Sequence, residues 1–125
     1  MQNISPKVQN LIAQYQEIAQ RLQTFSSQRM SLEMQVKELE QTVNQLEKSG
    51  TDDKIYRSAG SILIQTKDKD GLMSELKEHK ETLEVRAKSF ERQEKQLKER
   101  YDSLQKQISK ELGSPVDEEE ESEAG

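Results

Sequence analysis

The stretch KIYRSAGSILIQTK, from Lys54 to Lys67, has the alternating pattern of β-strands in a chain whose other segments have helical periodicity. β-Branched and aromatic residues alternate with other side chains on both sides of Gly60. Such residues favour strands, and a glycine between two short runs favours a tight turn. We therefore predict a β-hairpin over about residues 54–67, with its turn near residues 59–61. The alternative is an irregular loop that contains a few apolar residues.

The segment before this stretch is predicted to form one long helix over about residues 6–49. Ser5 is a suitable N-terminal cap, and Pro6 suits the first helical position because the N–H that it lacks would have no intrahelical partner there. Gly50 is expected to end the helix in the left-handed conformation. Apolar residues recur in steps of four and three, as in the heptad seam of a coiled coil. The seam consists of Ile4, Val8, Leu11, Tyr15, Ile18, Leu22, Phe25, Arg29, Leu32, Val36, Leu39, Val43 and Leu46, with Arg29 as its polar exception.

The segment after the predicted hairpin is expected to form a second helix over about residues 69–112, capped by Asp68 or Asp70. Gly113 and Pro115 are expected to end it. Its seam has two columns: Leu76, Leu83, Phe90, Leu97 and Leu104, and then Lys80, Ala87, Glu94, Tyr101 and Ile108. Because the two seams have similar lengths, we predict an antiparallel two-helix coiled coil. The pattern leaves open whether Leu22 faces Leu97 or the helices are shifted by one heptad.

The composition fits a thin helical seam and excludes several classes of protein. Hydrophobic residues make up 30% of the chain, and a seam of two apolar residues per seven needs about 29%. The net charge is −5, so we expect no nucleic-acid partner. The chain contains no cysteine and its histidine count is 1, and we expect no metal site, no cofactor and no enzymatic activity. With neither a signal-peptide pattern nor an apolar run of membrane-spanning length, the chain is expected to be cytoplasmic and without a membrane partner. Residues 114–125 are expected to be a disordered acidic tail.

The predicted hairpin has apolar residues on both of its faces and two free edges. A two-stranded hairpin is marginally stable in water, and exposed edges and apolar faces attract partners. The two helices are committed to each other, so other chains have to cover the strands. We therefore predict that the hairpin is an assembly element, and its candidate contact residues are Ile55, Tyr56, Ile62, Leu63 and Ile64.

Three stretches together resemble the β-type subunits of the prefoldin family. They are VQNLIAQYQEIAQRLQ (8–23), the central stretch with its Ile-Tyr-basic-x-x-Gly-x-x-Leu-Ile pattern, and LKEHKETLEVRAKSFERQEKQLKERYDSLQKQI (76–108). The central pattern is the specific one, because helical segments of coiled coils resemble each other. The resemblance covers nearly the whole chain except the acidic tail.

This resemblance implies a mostly α fold in which the β-hairpin joins an intersubunit β-barrel. It also implies a hexamer of two α-type and four β-type subunits with coiled-coil tentacles. An α-type subunit has two hairpins in its connector, whereas this connector has room for one. The family is an ATP-independent chaperone that captures non-native client proteins and delivers them to a group II chaperonin.

The helix ends away from the hairpin are the predicted client-binding tip. The seam ends there, so its last side chains lose neighbours and are expected to be partly exposed, and frayed helix ends adapt to varied apolar segments. The candidate residues are Ile4, Val8, Leu11, Ile12, Ile108 and Leu112. The alternative function is a non-chaperone structural coiled-coil protein that serves oligomerisation, in which the same residues only complete the coil.

Overall fold

A computed structural model of the chain describes residues 4–113. They form helix α1 (Pro6–Lys48), strand β1 (Ile55–Ala59), strand β2 (Ile62–Thr66) and helix α2 (Lys69–Leu112). This order confirms the predicted pair of long helices with a hairpin between them. The acidic tail predicted for residues 114–125 lies outside the described residues. Within residues 4–113, neither helix combines the length and the apolar character that a membrane span requires.

Helix α1 begins as predicted but ends differently. The Ser5 hydroxyl accepts a hydrogen bond from the Val8 N–H at 3.2 Å, which is the expected N-terminal cap. The prediction of a left-handed Gly50 is wrong, because the described glycines with positive φ are Gly60 and Gly113. Instead, the Ser49 hydroxyl donates to the Leu46 carbonyl at 2.7 Å. This side chain satisfies a carbonyl at the helix end, so the backbone does not need the left-handed turn.

Helix α2 is capped at both ends by residues that the sequence singled out. Asp68 is the N-terminal cap, since its Oδ1 accepts a hydrogen bond from the Gly71 N–H at 2.9 Å. A side chain at Gly71 would collide with the Asp68 carboxylate, so the glycine makes room for the cap. At the other end Gly113 has a φ of 69°, and its N–H donates to the Lys110 carbonyl at 3.2 Å. Of the two candidate caps, the structure therefore uses Asp68, and Gly113 ends the helix as expected.

The hairpin has a two-residue turn whose geometry depends on Gly60. Ala59 pairs with Ile62, and the register continues outward to the pair of Ile55 with Thr66. Gly60 has a φ of 65°, whereas Ser61 does not have a positive φ. A positive φ at the first central residue alone is the mark of a type II′ turn, which matches the twist of paired strands. Glycine adopts this conformation without the steric cost that a Cβ would bring.

The helices pack in two compact units, and each is described by itself. The described part of the first unit consists of residues 4–28 and 90–113, and the second unit is Arg29–Ser89. In both units every predicted seam position is buried or half-buried, which confirms the heptad pattern. The buried apolar residues are Val8, Ile18, Leu32, Val36, Val43, Leu46, Leu83, Ala87 and Leu104.

In the first unit, two aromatic pairs align the helices. The rings of Tyr15 and Tyr101 stack with their centroids 4.5 Å apart, and the Tyr15 hydroxyl donates to the Tyr101 hydroxyl at 2.6 Å. The rings of Phe25 and Phe90 lie 5.6 Å apart at a tilt of 53°. The sequence did not predict either pair, because a seven-residue repeat fits several alignments.

In the second unit, the polar seam positions keep their charges near the surface and pair them. Arg29 contacts Glu33 one turn along α1, with 3.0 Å between Nη1 and Oε1. Lys80 lies 3.7 Å from the Glu40 carboxylate of the facing helix. Long side chains can place an apolar stem in the seam and a charge in water. The seam therefore tolerates these two cations without burying a lone charge.

Candidate assembly and binding surfaces

The strands leave large apolar side chains in solvent. Tyr56 is 52% exposed, and Ile62, Leu63 and Ile64 are 60%, 71% and 47% exposed. Ile55, at the start of β1, is half-buried. These five residues, which we call the hairpin surface, are the predicted assembly residues. The structure thus brings them together on one small element and leaves four of them open to contact.

Both faces of the hairpin have apolar residues. Residues that pair across the strands share a face, so Arg57 and Ala59 lie on the same face as Ile62 and Ile64. Tyr56 and Leu63 lie on the opposite face, with Ser58 and Gln65. The sheet consists of β1 and β2 alone in the described chain, so each strand has a free edge. A two-stranded sheet of this kind gains stability from further strands or from packing on another surface.

Polar contacts join the two helix ends beside the hairpin and tie the strands to the start of α2. Lys69 Nζ donates to the Ser49 carbonyl at 2.9 Å and so links the start of α2 to the end of α1. The Thr66 hydroxyl accepts a hydrogen bond from the Asp68 N–H at 3.3 Å. The Nη2 atom of Arg57 lies 2.7 Å from Oε2 of Glu75. Sequence reasoning missed the Arg57 contact, although a charged residue inside an alternating apolar face was a signal that could have prompted a search for a partner.

The tip comprises residues 4–12 of the α1 side and 108–113 of the α2 side. Ile4, Leu11, Ile12 and Ile108 are half-buried, and Leu112 is 57% exposed. The expectation that Val8 is partly exposed is wrong, since its exposure is only 4%.

The two helix ends stay in contact at the tip, which explains the burial of Val8. Lys7 Nζ donates to Glu111 Oε1 at 2.8 Å, so the first turn of α1 is bridged to the last turn of α2. Ser109, on the same turn of α2 as Ile108, is also buried at 5% exposure. The two helices therefore stay packed against each other up to the first turn of α1, and Val8 is part of the buried seam.

The grooves along the second unit have charged walls. One is lined by Val43 and by side chains that include Glu40, Glu47, Lys77 and Lys80. Among residues 4–113, no three His, Asp or Glu side chains are grouped in a way that could hold a metal ion. The apolar surfaces that the described chain offers are therefore on the hairpin and the tip, together with scattered side chains such as Met30, Met34 and Val85.

Comparisons with known proteins agree with this arrangement. Residues 9–114 match the family of prefoldin subunits. The chain is 47% identical over 113 residues to prefoldin subunit beta of Methanocella arvoryzae, covering 90% of this chain and 89% of that one. A shorter match with prefoldin subunit beta of Pyrobaculum neutrophilum is 54% identical over 63 residues and covers 50% of this chain and 48% of the relative. The crystal structure of the prefoldin beta subunit from Thermococcus strain KS-1 superposes with a TM-score of 0.80 at 37% identity, over 90% of this chain and 97% of that one. The chain therefore belongs to the prefoldin family, as a subunit of the β type.

Proposed function

We propose that this chaperone subunit joins α-type partners in a hexamer of two α-type and four β-type subunits. In that assembly it captures non-native polypeptides at its tip without ATP and passes them to a group II chaperonin. The exposed hairpin surface is the observation that carries the proposal. Delivery to a chaperonin rests on family membership, and capture rests on the tip described above.

The hairpin surface supports assembly through strands. Ile62 and Ile64 on one face, and Tyr56 and Leu63 on the other, are exposed in the single chain. Burying one such side chain contributes about 1.5–3 kcal/mol. A neighbouring hairpin also supplies backbone hydrogen bonds to a free edge. Further hairpins therefore remove apolar surface from water and satisfy the edges at the same time.

The tip supports capture through five residues. Ile4, Leu11, Ile12 and Ile108 are half-buried, and Leu112 is the most open of the candidates at 57% exposure. Small rearrangements of the helix ends enlarge this apolar surface, because terminal turns open at low cost in free energy. A single tip offers few contacts, so affinity depends on several tips acting on one client.

Assembly is tested by mixing the purified chain with an α-type prefoldin subunit and measuring the mass by light scattering. A particle with the mass of two α-type and four β-type subunits is the expected result. If the two chains stay separate at micromolar concentrations, the proposed assembly is wrong.

Capture is tested with the assembled particle and a chemically unfolded protein whose aggregation is followed by light scattering without ATP. The double variant Ile12→Ser/Leu112→Ser should suppress aggregation less well than the parent. The matched control is Met30→Ser/Val85→Ser, which removes two apolar side chains that are 56% and 67% exposed in the second unit. Equal losses in the two variants would place capture outside the tip.

The same assay separates the chaperone from a purely structural oligomerisation protein. A structural coiled-coil protein would form the particle but leave the aggregation of the unfolded protein unchanged. A parent particle without effect on aggregation would therefore favour the structural alternative.

A further inference from the structure

Arg57 lies on an apolar face of the hairpin, but its side chain contacts helix α2. Arg57 pairs with Ile64 across the strands and shares its face with Ile55 and Ile62. Its guanidinium is bound to the Glu75 carboxylate, with 2.7 Å between Nη2 and Oε2. Glu75 belongs to the first two turns of α2. The contact therefore joins the middle of β1 to the helix that follows the hairpin.

The hairpin has little packing of its own to fix its direction. Four of the five residues of the hairpin surface are exposed, and so are the turn residues Gly60 and Ser61. At its base, the Thr66 hydroxyl at the end of β2 accepts a hydrogen bond from the Asp68 N–H, and the Lys69–Ser49 bond joins the two helix ends below the strands. Such contacts hold the strands in place at one end, but they allow the hairpin to tilt. A contact from the middle of a strand restricts that tilt far more, because it acts at a distance from the base about which the hairpin tilts.

We propose that the Arg57–Glu75 pair is a positioning contact that sets the angle of the hairpin on α2 for assembly. This inference rests on the proposed function, since the angle matters only if the hairpin meets strands of other subunits. Strand pairing needs aligned edges, so a hairpin with a narrow range of angles loses less entropy on assembly. Arg57 and Glu75 thus act through the hairpin surface without being part of its apolar contact.

The pair has a second effect on the same face. An arginine opposite Ile64 would otherwise be free to lie across Ile62 and Ile64, where a charge resists burial. Glu75 draws the guanidinium toward α2 and leaves the isoleucine side chains available to a partner. Both effects predict the same result, because removing the acidic partner makes the hairpin less suited to assembly.

The geometric part of the proposal is tested on the chain alone. The sequence has no cysteine, so spin labels can be attached at Ser61→Cys in the turn and His79→Cys on α2. Pulsed electron–electron distance measurements give the distribution of hairpin positions. In Glu75→Lys the distribution should broaden, and in the exchanged pair Arg57→Glu/Glu75→Arg it should narrow again. An unchanged width in Glu75→Lys would overturn the proposal even if assembly with an α-type subunit never occurred.

A second ion pair in the same unit supplies the control. Lys77 and Glu47 lie 3.7 Å apart, with side chains 57% and 50% exposed, compared with 48% and 57% for Arg57 and Glu75. Glu47→Lys makes the same change in charge as Glu75→Lys, but it does not touch the hairpin. It should leave the distance distribution unchanged.

The functional part is tested by titrating an α-type subunit and measuring the apparent dissociation constant of assembly. Glu75→Lys should weaken assembly by up to about five-fold, the upper end of the range for an exposed ion pair, and Glu47→Lys should not. The exchanged pair should recover most of the loss, and 1 M salt should reduce the difference because it screens exposed charges. Normal assembly of Glu75→Lys with a broadened distribution would overturn the role in assembly. Failure of the unmodified chain to assemble would instead count against the proposed function.

Discussion

Two leucines show how differently the helix pair of the first unit and the hairpin satisfy their apolar residues. Leu104 in α2 is 3% exposed, whereas Leu63 in β2 is 71% exposed. In the first unit, the facing helix covers the seam. In the hairpin, each strand pairs with one other strand in the described chain. Large apolar side chains on both faces of the hairpin stay exposed. The residues left without cover are therefore the ones available for contacts with other chains.

The difference follows from the geometry of the two elements. A helix buries one stripe, so a single facing helix is sufficient for it. A strand directs alternate side chains to two faces and its backbone groups to two edges, so one partner strand leaves most of these surfaces free. In the proposed assembly, the helices stabilise the chain itself and the strands supply the contacts with other subunits, so the two tasks lie in separate segments of the sequence.

The largest effect is expected from making the hairpin polar. Ile62→Asp/Ile64→Asp places two carboxylates on one face, where assembly would have to bury them without partners. Formation of the particle with an α-type subunit should be lost, while the helix content measured by circular dichroism should stay the same. The control is Met30→Asp/Met34→Asp, at positions 56% and 64% exposed on α1. If the hairpin variant still formed the particle, the exposed apolar residues of the hairpin would not be the ones that assembly needs.

An intermediate effect is expected from the buried leucine of the first unit. Leu104→Ala leaves a cavity in the seam and should lower the free energy of unfolding by about 2–5 kcal/mol. The same substitution at Leu112, which is 57% exposed on the same helix, should change it by less than about 0.5 kcal/mol. Urea denaturation of the two variants measures both values. Similar losses would mean that the tip is packed as tightly as the seam.

The smallest effect is expected from one hydroxyl in the aromatic pair. Tyr101→Phe keeps the stacked ring but removes the oxygen that accepts the 2.6 Å bond from the Tyr15 hydroxyl. The free energy of unfolding should fall by about 0.5–1.5 kcal/mol. Tyr56→Phe is the matched control, because Tyr56 is 52% exposed on the hairpin. Unchanged stability in Tyr101→Phe would show that the ring contact alone aligns this unit.

Periodicity predicted the secondary structure well because each pattern reflects one local geometry. The steps of four and three predicted the seam, and the alternation around Gly60 predicted the strands and their turn. Capping by Ser5 was also predictable, and the cap of α2 was narrowed to Asp68 or Asp70, since a cap depends on residues three positions apart. Gly50 was the exception, because the neighbouring Ser49 offered a competing way to end the helix.

Contacts between distant segments were not predictable in the same way. The burial of Val8 depends on how far the helix ends stay paired, and the seam pattern contains no information on that point. The bond between Arg57 and Glu75 depends on the direction of the hairpin relative to α2. Residues 18 positions apart, as these are, meet only when the intervening turn and cap have their folded geometry.

The amino-acid sequence by itself therefore determined the two helices, the hairpin and the candidate surfaces, because heptad spacing, strand alternation and capping act over a few neighbouring residues. Only the tertiary structure decided which aromatic rings meet, that Val8 is covered, and that Arg57 is tied to Glu75. The physical reason is that a repeating seam stabilises several alignments almost equally. The choice among them comes from the summed packing and pairing of side chains that are far apart in the chain.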